Sequence, residues 1–336
     1  MHKHRTWVFD HKPVILSTAV VGGPFEANGK IAEDFDVLHD DLWLGQDSYE
    51  KAHKVLLEEA SLMAIEKAGL RKEDIEFMLA GDLINQITPT SFTSRTIGAP
   101  YIGLFGACST SMAGLALGSF IINSKGAEYI LTGASSHNAA VEKQFRYPTE
   151  YGGQKPPTAQ WTVTGAGTAV ISEKGEGPVV TSATIGKVVD MGLSDPFNMG
   201  GAMAPAAFDT IVAHLQSREI DPSYYDLIVT GDLGKIGRET ALELFEREGI
   251  SITDQQFQDC GLMIYKEEQP VLAGASGAGC SATVFYGHLM NRMKRGEFNR
   301  ILVVATGALL SPLTFQQKET IPCIAHAVSI ERGDFA

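Results

Sequence analysis

The segment GLFGACSTSMAGLALGSFIINSKGAEYILTGASSH, Gly103–His137, provides the strongest indication of the fold of this chain. It opens with small residues and places Cys108 at the predicted start of a helix. That helix is apolar over most of its length, and the segment Tyr129–Thr132 that follows is predicted to be a strand. The hydroxyl groups of residues 109–111 belong to the residue types that cap helix N-termini. The sequence therefore predicts a buried helix with a thiol at its N-terminal end.

The position of Cys108 allows two interpretations. A thiol among the unpaired N–H groups of a helix N-terminus is expected to favour the thiolate and to tolerate an anionic ligand nearby. Alternatively, Cys108 is a small buried residue where a helix passes close to a strand. The remainder of the chain has to decide between a functional and a structural cysteine.

Composition describes an ordinary globular protein with an acidic surface. Of its 336 residues 44% are hydrophobic and 20% charged, and the formal net charge is −13. This charge argues against binding to nucleic acid or to anionic lipid. No run approaches the roughly 18 apolar residues of a membrane span, and the N-terminal segment lacks the apolar core of a signal peptide. We therefore expect an intracellular protein without a transmembrane segment, which reaches a membrane only through partner proteins.

Neither cysteine nor histidine spacing predicts a metal site. The four cysteines contain no Cys-x-x-Cys pair, which indicates reduced thiols rather than a disulfide framework or a zinc site. The nine histidines show no ligand spacing, and His2 and His4 are interpreted as part of a solvated terminus. No cofactor and no metal is predicted. The cysteines are Cys108, Cys260, Cys280 and Cys323.

The chain repeats itself, which predicts a duplicated α/β fold. Each half contains a short apolar strand that ends in Gly-Asp-Leu, at residues 81–83 and 231–233. Residues 274–283 copy the cysteine-containing helix start. Short apolar strands between buried-looking helices indicate sheets that are covered on both faces. We predict two halves, residues 1–174 and 175–336, forming one five-layered α/β/α/β/α sandwich whose middle layer holds the helices beginning at Ser109 and near Cys280.

The sequence resembles a known superfamily in these same blocks. The duplication and the GACS helix start resemble thiolases and ketoacyl synthases. Three blocks, FGACSTSMAGLAL, LTGASSHNAAVEKQFRYPTEYGGQKPPTAQWTVTGAG and AGASGAGCSATVFYGHLMNRM, resemble more closely the stage V sporulation protein AD family. The resemblance implies a thiolase-like fold and a component of the channel assembly that loads dipicolinic acid into endospores. It also implies membrane subunits of that assembly as partners at the forespore or spore inner membrane.

The resemblance implies that the catalytic set of the superfamily is incomplete. Its nucleophile maps onto Cys108, but residues 230–234 read TGDLG where the related synthases carry a histidine. Residues 274–278 read GASGA where the superfamily carries Asn or Gly-His. Without a proton shuttle, a thioester condensation loses its base and part of its oxyanion hole. His137 and His326 are the alternatives that could replace the missing imidazole.

The leading hypothesis is a non-enzymatic protein that binds dipicolinic acid, free or with calcium, in the retained pocket. Such a flat dicarboxylate needs hydrogen-bond donors and an apolar slot. Phe105, Phe197 and Met199 are candidate ring contacts, and Lys235 is a further candidate donor. The predicted ligand-binding residues are Cys108, Ser109, His137, Thr164, Asp232, Ser276, Cys323 and His326.

Three further expectations remain open at the sequence level. Asp82 and Asp232 could face calcium, but their repetition after glycine favours a role in stabilising turns. A homodimer is expected by analogy, paired through the strand Tyr129–Thr132. The alternative function is a condensing enzyme that uses Cys108 as the acyl acceptor.

Overall fold

The computed structural model describes residues 5–333, so His2 and His4 lie outside the described part. The strands are β1 Thr6–Val8, β2 Val14–Gly22, β3 Val37–Leu38, β4 Phe77–Gly81, β5 Tyr101–Gly103, β6 Tyr129–Ser136, β7 Trp161–Thr162, β8 Gly165–Ser172, β9 Val179–Thr184, β10 Leu227–Thr230, β11 Phe257–Asp259, β12 Ala275–Ser276, β13 Arg300–Ala308 and β14 Cys323–Glu331. The α-helices are α1 Tyr49–Lys67, α2 Thr88–Ile97, α3 Thr110–Asn123, α4 Asn138–Phe145, α5 Met199–Arg218, α6 Gly234–Arg247, α7 Cys260–Met263, α8 Ala278–Thr283, α9 Met290–Lys294 and α10 Pro312–Gln316. A π-helix, Val284–Leu289, joins α8 to α9, and short 3-10 helices lie at 26–28, 32–34, 72–74, 85–87, 149–151 and 222–224.

The sheet topology repeats between the two halves of the chain. The first half has the strand order β5-β4-β6-β8-β2, and the second has β11-β10-β13-β14-β9. In each half the first two pairings are parallel and the last two antiparallel. The two sheets join where β2 pairs with β9, at Val14 and Val179, and β1 of the first half also pairs with β9. The predicted duplicated fold is confirmed, and residue 174 lies in the turn between β8 and β9.

The helices form three layers around these two sheets. Helix α1 packs on β2, β6 and β8, with α2 beside it, while α5 packs on β13 and β14, with α6 beside it. Helix α3 contacts strands of both sheets, so it lies between them, and α8 packs against α3, β6 and β8. A helix that is apolar on all sides is stable only when it is buried. The two helices predicted for the middle layer are found there.

Glycine lets α3 approach the first sheet closely. A Cβ atom at Gly114 would collide with the Thr132 Oγ1 and lie 3.0 Å from the carbonyl oxygen of Leu79. At Gly118 it would lie 2.7 Å from the Cδ1 of Ile171. The helix therefore lies closer to β4 and β6 than an alanine at position 114 would allow.

The strand predicted to pair two subunits is an interior strand. Strand β6 bonds β4 on one side and β8 on the other, so Tyr129–Thr132 has no free edge and this assignment is wrong. The end of the first sheet is β5, whose Ile102 is exposed. Within residues 5–333, none of the helices has both the length and the apolarity required to cross a bilayer.

Candidate functional site

The cysteine predicted at the helix start lies in a tight turn between β5 and α3. Ala107, directly before Cys108, adopts φ = 49°, a left-handed conformation that is uncommon outside glycine. The Ser109 Oγ donates to the carbonyl oxygen of Gly106 at 2.6 Å, and the Thr110 Oγ1 donates to that of Ala107 at 2.7 Å. These bonds hold the turn that carries the thiol.

The predicted capping by residues 109–111 is wrong. Ser109 is the N-cap residue, but its side chain accepts no bond from the first turn of α3. The carbonyl groups of the preceding turn lie closer and take up its hydroxyl and that of Thr110. The Ser111 Oγ instead contacts the Ser281 Oγ at 2.7 Å, which ties the starts of the two middle-layer helices together.

A small cavity, here called the inner cavity, lies beside Cys108 and offers about 40 Å³. For comparison, a cavity that holds one benzene ring measures about 150 Å³. Most of the lining is apolar and comes from both halves of the chain. The lining residues are Leu83, Phe105, Ala107, Cys108, Val141, Phe145, Arg146, Thr162, Met199, Ser276, Gly277, Ala308 and Leu310.

The immediate neighbour of the Cys108 thiol is the carboxyl group of Asp232. The thiol is only 8% exposed, and burial, together with the charge of Asp232 and the hydrogen bond to it, raises the pKa of Cys108 well above its usual range. The expectation of a stable thiolate is therefore wrong, because the helix N-terminus is outweighed by desolvation and a nearby negative charge.

Asp232 is held in place by two donors from other segments. The Thr306 Oγ1 donates to it at 2.7 Å, and the backbone N–H of Gly277 donates at 3.0 Å. Burial raises the pKa of Asp232 to about 6, against the opposing effect of these hydrogen bonds. At pH 7 the carboxyl group is thus mostly ionised.

The sequence interpretation missed Arg146, the cation at the inner cavity. Its side chain is 6% exposed, forms a two-pronged ion pair with Glu142 and contacts the Thr162 Oγ1 at 3.3 Å. Lys155 bonds the same Glu142 carboxylate at 3.1 Å. The Glu142–Arg146 spacing of four residues was the available signal, since such pairs face the same side of a helix.

Part of the predicted site comes together at the inner cavity. Cys108, Ser276, Phe105 and Met199 line it, and Asp232 lies directly behind the thiol. Cys323, the other cysteine among the predicted ligand-binding residues, is not in the lining. Its Sγ lies 3.4 Å from the carbonyl oxygen of Ile321, and burial, with the charges of Asp190 and Asp232, raises its pKa to about 12.

Three other predicted residues are engaged elsewhere by the fold. The His137 Nδ1 accepts from the N–H of Ala140 at the start of α4, and its Nε2 bonds the carbonyl oxygen of Leu42. The His326 Nδ1 accepts from the N–H of Gly186 at 3.2 Å. Burial lowers the pKa of both histidines to about 4, so both are neutral at pH 7. The Thr164 Oγ1 accepts from the N–H of Asn138.

The two aspartates after glycine differ in role. Asp82 accepts from the N–H groups of Ile84 and Thr90, as expected for a residue that stabilises its own turn. Asp232 does not: the turn after β10 is held by Asp259, which accepts from the N–H groups of residues 233 and 234. In the described part of the chain, no three His, Cys, Asp or Glu side chains are grouped as a metal site.

A larger cleft of about 740 Å³, here called the outer cleft, lies on the other side of Arg146. Its walls include Tyr147, Tyr151, Lys155 and Trp161, and the predicted ring contact Phe197 is here rather than in the inner cavity. A separate cleft on the far side of the 270–272 loop contains Lys235.

Solved structures share this fold at low identity. Xanthomonas campestris OleA has a TM-score of 0.63 at 12% identity, with 98% of this chain and 99% of that chain covered. Human mitochondrial 3-ketoacyl-CoA thiolase has a TM-score of 0.61 at 11% identity, with 96% of this chain and 98% of that chain covered. Aquifex aeolicus 3-oxoacyl-[acyl-carrier-protein] synthase III has a TM-score of 0.60 at 12% identity, with 95% of this chain and 99% of that chain covered. These similarities establish a thiolase-like fold and nothing about activity.

Sequence comparison identifies a much nearer relative. Stage V sporulation protein AD of Bacillus subtilis (strain 168) is 47% identical over 329 residues, which cover 98% of this chain and 97% of that protein. The sequence profile of the stage V sporulation protein AD family matches residues 3–331. The chain therefore belongs to the stage V sporulation protein AD family.

Proposed function

We propose that this sporulation protein is a non-enzymatic binding protein for dipicolinic acid, free or as its calcium complex. In this proposal it acts with membrane subunits of the spore channel assembly, as a homodimer held at the forespore or spore inner membrane by those partners. The observation that carries the proposal is the composition of the inner cavity, which places a protonated thiol beside a carboxyl group and has a buried arginine in its lining.

The cavity is poorly suited to thioester condensation. That reaction needs a thiolate nucleophile and a proton shuttle beside it. Asp232 raises the pKa of Cys108 instead of lowering it. Among the described residues that line the inner cavity, none is a histidine or an asparagine. We infer that the pocket of the superfamily persists here without its condensing chemistry.

The same cavity suits one end of a flat dicarboxylate. The Nε and Nη2 of Arg146 donate to Glu142 and Thr162, so its Nη1 is the group that would donate to a ligand carboxylate, and Phe105 and Met199 provide apolar contact. The ionised carboxyl group of Asp232 would oppose a free dianion. A calcium complex carries less negative charge, so it is the form that this side of the cavity tolerates best at neutral pH.

Titration calorimetry with dipicolinic acid tests the proposal, with and without calcium. We expect saturable binding that weakens at least about tenfold in Arg146→Gln, because a charge-assisted bond to the carboxylate is lost. Arg247→Gln is the matched control, since Arg247 is exposed and remote. Absence of binding to the unmodified chain in either form of the ligand would refute the proposal.

The second candidate function is acyl transfer through Cys108. It is favoured by the left-handed turn at Ala107, because strained backbone next to a helix start is a common setting of nucleophiles. Incubation with acetyl-coenzyme A followed by intact-mass spectrometry separates the two functions. An acetyl adduct that disappears in Cys108→Ala would support the enzyme, whereas an unmodified mass supports the binding protein.

A further inference from the structure

We propose that the outer cleft is a docking subsite for the ring of a planar aromatic carboxylate, whose carboxylate group bonds Arg146 and Lys155. This inference rests on the proposed function, because it assigns the ring of the same ligand to a place next to the inner cavity. It adds a group of residues that the sequence interpretation did not select.

Two exposed tyrosines form the aromatic wall of the outer cleft. Tyr147 is 58% exposed and Tyr151 is 72% exposed, and their rings stack with centroids 5.5 Å apart and an angle of 30° between the planes. Large exposed aromatic side chains that lie side by side are a typical feature of binding surfaces. A flat ring can extend this stack, which is a favourable arrangement for aromatic pairs.

Two further residues of the cleft, Arg146 and Lys155, supply positive charge. Arg146 and Lys155 share the single carboxylate of Glu142, so this group of three side chains carries one excess positive charge. The Lys155 ammonium also lies 5.5 Å from the centre of the Trp161 ring. A carboxylate that enters the cleft would thus meet two cations, which are only partly compensated, beside an aromatic surface.

The aromatic floor is held by packing from below. Trp161 stacks on Phe25 with centroids 4.4 Å apart, and Tyr265 packs edge-on against Phe25 at 5.1 Å. The Gln269 Nε2 donates to the carbonyl oxygen of Phe25 at 2.9 Å. A surface fixed in this way loses little conformational entropy when a ligand binds.

Size determines which part of the ligand occupies which space. The inner cavity of about 40 Å³ does not accommodate an aromatic ring, whereas the outer cleft of about 740 Å³ does. Arg146 lines both spaces, so a carboxylate bonded to it can stay there while the ring lies against the tyrosines. The ring therefore occupies the outer cleft, and one carboxylate points towards Cys108.

Fluorescence of Trp161 reports directly on this cleft. In the double variant Trp7→Phe, Trp43→Phe, Trp161 is the remaining tryptophan of the chain, which has three. Excitation at the red edge of tryptophan absorption, with dipicolinic acid or pyridine-2-carboxylic acid as the titrant, should give saturable quenching. Tyr151→Ala in the same background should weaken both ligands about five- to tenfold through loss of ring stacking.

Two controls separate this inference from the proposed function. Phe315→Ala removes another exposed aromatic ring, one that does not line the cleft, and should leave the affinity unchanged. Calorimetric binding to the unmodified chain with unchanged Kd in both Tyr147→Ala and Tyr151→Ala would overturn the docking subsite alone. No binding to the unmodified chain would overturn both proposals.

Discussion

At the scale of single residues, the chemistry of Cys108 depends on a carboxyl group from the other half of the chain. A helix N-terminus usually favours a thiolate, but its effect is worth only about 1 kcal/mol at most sites. Burial of the thiol and the adjacent Asp232 act in the opposite direction and prevail. The same residue that marks the superfamily resemblance is therefore a protonated, weakly nucleophilic thiol.

Asp232→Asn should make Cys108 more reactive towards alkylation. Asparagine has an amide oxygen that can still accept from Thr306, but the negative charge beside the thiol is gone, so the pKa of Cys108 falls. We expect roughly a tenfold faster reaction with iodoacetamide at pH 8, followed by peptide mass spectrometry, for each unit by which the pKa falls.

Asp254→Asn serves as the control, because Asp254 is exposed and its substitution also removes one negative charge, but away from Cys108. Equal alkylation rates in Asp232→Asn and in the unmodified chain would show that the carboxyl group does not govern the thiol.

At the scale of elements, the close approach of α3 to the first sheet should be sensitive to a single methyl group. Gly114→Ala places a Cβ against Thr132 and a backbone carbonyl, which cannot move aside easily. We expect a loss of about 1 to 3 kcal/mol in the free energy of unfolding, although alanine favours helix formation. This loss can be measured by urea denaturation of Gly114→Ala, Gly118→Ala and the unmodified chain.

Gly118→Ala is the internal comparison because its new Cβ meets the flexible end of Ile171. It should cost less than Gly114→Ala. A greater loss at position 118 would contradict the proposed approach of α3 to β6.

The edge of the first sheet is the element on which a homodimer would depend. Strand β5 ends the strand order, and its exposed Ile102 precedes the exposed Phe105 at the rim of the inner cavity. If two copies pair along β5, Ile102→Lys should yield monomers in size-exclusion chromatography with light scattering, because a charge on an edge strand opposes strand pairing. Leu62→Lys on the outer helix α1 should leave the mass unchanged, and a dimer that persists in Ile102→Lys would exclude this edge.

At the scale of the whole molecule, buried histidines and buried carboxyl groups have opposite effects on how stability changes with pH. Burial lowers the pKa of His53, His137 and His326 to about 4, and of His214 to about 3. Burial raises the pKa of Asp82 and Asp232 to about 6, and of Glu26 and Asp259 to about 7. Between pH 4.5 and 6 the histidines make stability rise with pH, because the unfolded chain binds more protons there. The carboxyl groups make the stability fall as the pH rises, because the folded chain binds more protons than the unfolded chain does in this range. The two effects oppose each other, so we expect the stability to change only slightly with pH.

Substitution of one histidine should disturb this balance. In His326→Asn the amide oxygen can still accept from the N–H of Gly186, but the proton taken up on unfolding is lost. The stability difference between pH 7 and pH 4.5 should fall by about 2 kcal/mol relative to the unmodified chain, at about 1.4 kcal/mol per pH unit. Urea denaturation at both pH values measures it, with the exposed His11→Asn as control. If the substitution changed the free energy of unfolding by the same amount at both pH values, His326 would not contribute to the pH dependence of stability.

The architecture of this protein can be predicted from patterns along its sequence. The repeated strand pattern, the two apolar helices and the position of Cys108 before α3 could all be predicted because they depend on local periodicity and on matches along the chain. The close match to one family followed from the same blocks. Asp82 could likewise be assigned to its turn, because its partners are neighbours in sequence.

Which side chains meet at the site cannot be predicted without the three-dimensional fold. Asp232 reaches the thiol of Cys108 from the second half, and Arg146 enters the cavity from a segment between two strands, because sheet register and loop paths bring distant residues together. His137 and His326 form hydrogen bonds with backbone groups, and these partners cannot be predicted from residue spacing. The interior position of β6 likewise depends on which strands pair on each side. Local patterns determine elements, whereas convergence of side chains depends on how those elements pack.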